Sequence, residues 1–282
     1  QNVDILVMTA TPIPRTLTLT AYGDMEISRL MEKPVGRLPI DTRTVTVNRL
    51  DDVIQGLSRA LKKLQKIYWV CPLVEESEKL DLAAVEDRFS QLKSIFGERV
   101  GLVHGKMKPT EKDASMDSFK NGGIDILVAT TVIEVGVDVP EASIMIIEHA
   151  DRFGLAQLHQ LRGRIGRGSK KSTCILMYSE NLTAIARKRL QIMKDTEDGF
   201  VISEEDLRLR GAGEVLGTRQ SGLPEFKLAN LSAHTELLLT ARDDARLILE
   251  IDPELTSERG MNLRILLYLF ERDSAIKYLR SG

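Results

Sequence analysis

The sequence predicts an α/β fold, a parallel sheet with helices on both faces, followed by a helical hairpin and C-terminal helices. Two observations carry this. Short β-branched runs alternate with helical patterns as far as about Glu180, which is the signature of strands joined by helical crossovers. Beyond that point the strand pattern stops, and the apolar residues recur only at helical spacing. A third observation concerns charge. Between Arg152 and Lys194 ten Lys or Arg residues stand against one acid, Glu180, while the rest of the chain holds 29 basic and 40 acidic residues. The net charge of −2 therefore conceals a local positive field suited to phosphates or another polyanion.

Taken in order, strands are expected at Ile5 to Met8, Thr42 to Val47, Lys66 to Val70, Val100 to His104, Ile124 to Ala129, Ser143 to Glu148 and Thr173 to Tyr178. Helical periodicity fills the intervals. Val53, Leu57, Ala60, Leu61 and Leu64 share one face of a helix starting at Asp51 or Asp52, and Leu82, Val85, Phe89, Leu92 and Phe96 share another. Both stripes read as core.

The segment before Arg37 offers one strand, one helix and MEKPVGRLP, whose Pro34, Gly36 and Pro39 suit a linker. A lone strand and helix cannot form a domain, so residues 1–36 are expected to end a domain whose earlier part lies outside this sequence. The sheet domain is expected over 37–180, a helical hairpin and loop over 181–231, and a C-terminal helical segment over 232–282. In that last segment Leu237, Leu238, Ala241, Ala245, Ile248 and Leu249 form a stripe that DPEL interrupts before NLRILLYLF resumes.

No apolar run reaches the roughly 18 residues of a membrane span, and the first residues lack the pattern of a signal peptide. A cytoplasmic location is the default expectation. Cys71 and Cys174 lie in apolar runs and are expected as buried free thiols rather than a disulfide or metal pair.

In open α/β sheets ligands bind beyond the carboxyl ends of strands, where loops lead into helix N-termini. Four segments are assigned to that edge. The first, TATPIPR, begins at Thr9, and Pro12 restricts Thr11 to extended geometry. His104, Gly105 and Lys106 precede Pro109, Thr110 and Asp113, a reasonable helix start. TTVIEVGVDVP supplies the hydroxyls of Thr130 and Thr131, Gly136 for an unusual backbone angle, and Asp138 as an acceptor. The fourth is QLHQLRGRIGRG, Gln157 to Gly168, in which Arg162, Arg164 and Arg167 alternate with glycines that cost a helix interior roughly 1 kcal/mol each. Guanidinium forks suit oxygens whose charge grows during phosphoryl transfer, and glycines allow close packing against a phosphate or a neighbouring surface.

The order TATP, VHG, ATTVIEVGVDVP and QLRGRIGR, spanning Thr9 to Arg167, resembles motifs III, IVa, V and VI of the superfamily 2 nucleic-acid helicases. That resemblance implies a second RecA-like lobe in an ATP-driven motor. Thr9 and Thr11 would couple nucleotide state to nucleic acid, with Gly136, Asp138 and Gln160 near the nucleotide. His104, Gly105, Lys106, Thr130 and Thr131 would grip backbone phosphates, and Arg164 and Arg167 would be arginine fingers across the cleft between lobes. ATP and Mg²⁺ are implied, held mainly by the other lobe, because the sequence has neither a GxxxxGK[ST] loop nor a DExH-like acid cluster. This chain alone is expected not to hydrolyse ATP.

Asp198 to Leu231, DGFVISEEDLRLRGAGEVLGTRQSGLPEFKLANL, resembles the translocation hairpin and loop shared by the RecG branch and the transcription-repair coupling branch. GTRQSG with PEFKLANL, MTATPIPRTLTLTAYGDMEIS and YWVCPLVEESEKL are similar to RecG, although Ala212 stands where that branch often has proline. Arg189, Arg208, Arg210, Arg219 and Gln220 are the long donors expected to contact duplex phosphates or to link hairpin and loop. The implied function is double-stranded-DNA translocation that remodels branched DNA in repair and recombination. The implied partners are that DNA, the chain's own first lobe and wedge domain, and a single-stranded-DNA-binding protein, on a monomer associated with the bacterial nucleoid. The alternatives are a transcription-repair coupling motor and a non-catalytic nucleic-acid-binding module.

Overall fold

The computed structural model describes residues 6, 8–9, 12, 28–32, 36–72, 78–131, 139–168, 170–210 and 234–270. They form two compact units, one of residues 1–12 and 30–206 and the other of 13–29 and 207–282. The first contains six strands: β1 (Ile40–Thr46), β2 (Lys66–Val70), β3 (Val100–Val103), β4 (Ile126–Ala129), β5 (Ala142–Ile147) and β6 (Ser172–Tyr178). They make one sheet in the order β1-β6-β5-β2-β4-β3, and every pairing is parallel.

Parallel neighbours need crossovers, supplied here by α1 (Leu50–Lys62), α2 (Glu78–Phe96), α3 (Pro109–Asn121) and α4 (Leu155–Arg162). The central strands β2 and β4 are buried along their whole length, as continuous apolar runs covered on both faces should be. β1 lies at an edge and alternates, with Asp41 and Arg43 outward, a charged pattern that discourages pairing with another chain.

Alternation along β2 divides the core. Ile67 and Trp69 pack with Val53, Leu57 and Leu61 of α1 and Val85 and Leu92 of α2. Tyr68 meets Phe119 of α3, ring centroids 4.9 Å apart. Lys66, also buried, donates from Nζ to the carbonyls of Phe119 and Lys120 at 2.6 Å each, closing the C-terminus of α3 where carbonyls lack helical partners. Both cysteines are buried free thiols.

The expected strands recur with small shifts. β1 starts two residues earlier, at Ile40, because that residue pairs with Ser172. β4 starts two residues later, at Ile126, because the Ile124 amide bonds to Ser118 at the end of α3. β3 ends at Val103, since the amide of His104 turns to the Met107 sulfur. The strand expected at Ile5 to Met8 falls largely outside the described residues.

After β6, α5 (Ala184–Asp195) and α6 (Gly199–Arg210) follow. The second unit contains α7 (Thr235–Ile251) and α8 (Glu258–Leu269), separated at the expected DPEL break. Asp252 organises that break by accepting from the amides of Thr256 and Ser257, at 2.8 and 2.9 Å, and from both hydroxyls. These bonds hold its carboxyl below its ordinary pKa. Leu237 and Leu249, members of the expected apolar stripe, are exposed. No helix among the described residues is long and apolar enough to cross a membrane.

Candidate nucleic-acid and nucleotide edges

Two sets of expected site residues lie at opposite edges of the sheet. At the carboxyl edge β3 and β4 are neighbours, and Val103 pairs with Ala129. The next residue on each strand is therefore brought to the same place: His104 half-buried and Thr130 buried. The Thr130 amide donates to the Val103 carbonyl at 3.3 Å, yet Thr130 Oγ1 and His104 Nδ1 are buried with no hydrogen-bond partner. Two unsatisfied polar atoms at adjacent strand ends are costly unless a ligand or solvent completes them. Gly105 and Lys106 follow on an exposed turn, with Lys112 Nζ donating to the Gly105 carbonyl at 2.8 Å. This turn leads into α3, whose first residue is Pro109 and whose Glu111 carboxylate accepts from the Lys108 amide at 3.2 Å. Thr131 is half-buried beside it, and Gly136 and Asp138 lie outside the described residues.

The arginine segment corrects the sequence reading. Sequence places it at the carboxyl edge with the other three loops, but it follows a helix, and a helix running back across a parallel sheet delivers the chain to the amino edge. Three contacts fix it there. A Cβ on Gly166, whose φ is +72°, would lie 3.1 Å from Ile40 at the start of β1. Gly168 lies against the carbonyl of Pro140, just before β5, and Lys170 Nζ donates to the carbonyl of Leu64, just before β2, at 3.3 Å. Arg167 is exposed and Arg164 half-buried. Arg167 Nε and Arg37 Nη2 both donate to the Gly163 carbonyl, at 3.1 and 3.3 Å. Gln160 is half-buried on α4. Strands of four to seven residues put the two edges roughly 13 to 23 Å apart.

Arg162, adjacent in sequence to the other basic residues of this strip, behaves differently. It is 2% exposed and donates to the Met193 carbonyl at 2.6 Å. Burial lowers its pKa, while Cys174 and Glu197 raise it. Its position in the last turn of α4, facing the core, separates it from Arg164 and Arg167, and spacing alone gives no sign of this.

Arg189 lies on α5 and spends both Nη atoms on main-chain carbonyls, of Phe153 at 2.6 Å and Asp151 at 3.3 Å. It thereby braces the turn that precedes α4. Arg208 is exposed on α6, and Arg210 is the last residue of that helix. Thr9 is exposed, while Thr11, Arg219 and Gln220 lie outside the described residues, as does the glycine-rich loop from Gly211 to Gly222. No group of His, Cys, Asp and Glu among the described residues is arranged to hold a metal ion.

Residues 47–169 match the family model for the helicase conserved C-terminal domain, and residues 196–268 match that for domain 3, C-terminal, of the ATP-dependent DNA helicase RecG. The chain is 52% identical over 264 residues to the ATP-dependent DNA helicase RecG of Pasteurella multocida (strain Pm70), covering 92% of this chain and 38% of that protein. To the protein of the same description from Escherichia coli (strain K12) it is 52% identical over 251 residues, covering 88% of this chain and 36% of the other. The chain thus spans little more than a third of the length of these relatives. A solved structure described as RecG bound to three-way DNA junction superimposes with a TM-score of 0.66 at 40% identity, covering 84% of this chain and 30% of that one. With a RecA-like parallel sheet, the helicase C-terminal domain and the RecG domain 3 region in one sequence, this chain belongs to the RecG family of DNA helicases.

Proposed function

We propose that this chain supplies the second motor lobe and the translocation hairpin of an ATP-dependent DNA helicase that moves along double-stranded DNA and remodels branched substrates. The observation that carries the reading is the separation of two chemistries on one sheet. The carboxyl edge presents the unsatisfied His104 Nδ1 and Thr130 Oγ1 beside exposed Gly105 and Lys106, a set suited to backbone phosphate oxygens. The amino edge presents the arginine loop. A lobe arranged in this way can answer to a nucleotide at one edge and to a phosphate backbone at the other.

ATP would lie against Arg164 and Arg167, whose charge would stabilise the transferring γ-phosphoryl group, with Gln160, Gly136 and Asp138 nearby and Thr9 and Thr11 relaying the nucleotide state. Groups outside this chain would hold the remaining phosphates and Mg²⁺. Arg208, Arg210, Arg219 and Gln220 would serve translocation, while Arg189 positions the turn before α4. The relative solved on a three-way junction supports branched DNA as the substrate class.

The test is ATP hydrolysis by the full-length protein containing this chain, measured with branched and with linear DNA, in native form and as Arg167→Ala. Stimulation by branched DNA is expected, with turnover in the variant reduced by about 10³ or more. A variant within about threefold of native would overturn the assignment of the finger. Stimulation should also weaken steeply as salt rises, because phosphate contacts release counterions.

A further inference from the structure

Helix α1 ends where the sequence breaks a local rule. The Gln65 amide donates to the Ala60 carbonyl at 3.3 Å and the Leu64 amide to the Leu61 carbonyl at 3.2 Å, the pair of bonds that closes a helix through a left-handed residue. Leu64 is that residue, with φ of +53°. Glycine is the usual occupant, because a Cβ is strained there. Burial does not offset the strain, for Leu64 is 75% exposed. Strain that packing does not require clusters at ligand clamps and switch regions.

Cations surround this turn. Arg59, Lys62 and Lys63 are exposed at the end of α1. Lys170 Nζ donates to the Leu64 carbonyl at 3.3 Å, joining the turn to the segment that enters β6, where Lys171 is also exposed. Among the described residues none of these five forms an ion pair. In residues 62–65, 139–141 and 170–171, which lead into β2, β5 and β6, Glu141 is the one acid.

A surface this rich in lysine suits a phosphate backbone better than a protein partner, since protein interfaces are depleted in lysine. Unpaired strands are gripped by stacking on aromatic rings, and residues 59–65 and 170–172 contain none. A duplex needs no ring: lysines meet its phosphates, and an apolar side chain packs in its minor groove. The turn precedes β2 at the amino edge, whereas His104 and Thr130 follow β3 and β4 at the carboxyl edge. A branched substrate has more than one arm, and two edges can hold different arms.

We propose that the Leu64 turn and the cations around it form a second DNA site, which takes the backbone of a duplex arm and seats Leu64 in its minor groove. The inference rests on the motor reading above.

The experiment uses the full-length protein and measures Kd for a labelled three-way junction, a linear duplex and a single strand over a range of salt, together with KM for ATP and thermal unfolding. Lys62→Gln combined with Lys63→Gln and Lys171→Gln leaves Lys170 to hold the Leu64 carbonyl. This variant is expected to weaken junction binding by about tenfold or more at low salt. The slope of log Kd against log salt should flatten by about one for each lysine that meets a phosphate. Duplex affinity should fall more than single-strand affinity; the reverse order would overturn the choice of a duplex. Leu64→Gly should raise the unfolding midpoint, as strain is relieved, yet weaken junction binding by about threefold, and Leu64→Met should keep native affinity. A Leu64→Gly protein with a lower midpoint and native affinity would overturn the assignment of Leu64. An unchanged salt slope in the lysine variant would overturn the site, in favour of the nucleotide if KM for ATP rises and of a protein partner if it does not. A native protein that fails to bind branched DNA would overturn the motor reading and this site together, whereas native binding with unchanged slopes in the variant overturns the site alone.

Discussion

Gly168 packs directly against the main-chain carbonyl of Pro140, so closely that a Cβ on Gly168 would stand 2.7 Å from that oxygen. A backbone atom cannot swing aside as a side-chain tip can. The glycines of the arginine segment thus have two distinct causes: close approach at Gly168 and a left-handed backbone at Gly166.

Gly168→Ala should accordingly destabilise the chain by about 1–3 kcal/mol through overpacking. Gly166→Ala should cost about 1–2 kcal/mol through left-handed strain, on top of its tight approach to Ile40. Urea unfolding of the three proteins measures both. In the full-length protein either change should also lower ATP turnover, because Arg167 stands between the two glycines.

Arg88 of α2 and Glu148 at the end of β5 form an ion pair of 2.5 Å at side-chain exposures of 17% and 10%. Trp69 Nε1 donates to the same carboxylate, and the guanidinium lies over the indole ring at 5.6 Å. Removing one partner leaves a charge without compensation, so Arg88→Ala should destabilise by about 3 kcal/mol. Arg88→Met combined with Glu148→Gln, which removes both charges, should recover most of that loss in urea unfolding.

Cys174, fully buried in β6, has its thiol pushed up from 9.0 to about 12 by burial, against an opposing pull from Arg162. The folded state therefore holds this proton more tightly than the unfolded state does. The resulting stability is fully present below pH 9 and is lost as pH rises from about 9 towards 12, while the unfolded thiol ionises first. Relative to Cys174→Ala, the native chain should lose up to about 1.4 kcal/mol per pH unit across that window. Unfolding free energies measured at several pH values for both proteins check this. Cys71, pushed up mainly by burial and then by Glu148, should resist alkylation of the folded protein at pH 8.

The sequence alone determined, to within two residues at the starts of β1 and β4, the six strands described in the sheet unit and the crossover helices between them. β2 is bounded as expected at Lys66 and Val70, and Val85 and Leu92 of the second predicted stripe are fully buried. Apolar periodicity is a local property of the chain, and burial follows where the helix continues and packs on the sheet; Leu64, which extends the first stripe, lies past the end of α1 and is exposed. The residue types of the two edges were legible for the same reason, since glycine, arginine and hydroxyl side chains carry their chemistry wherever they lie. Tertiary structure decided where that chemistry is delivered. Strand direction sent His104 and Thr130 to one edge, and the return of α4 sent Arg167 to the other, although sequence order alone groups all three at one edge. It also divided one run of basic residues by role: Arg162 turned inward to Met193 and Thr42, Arg189 braced the turn before α4, and Arg167 remained exposed. A side chain's chemistry belongs to its residue, but its partners depend on which elements pack together, and only the assembled sheet fixes that.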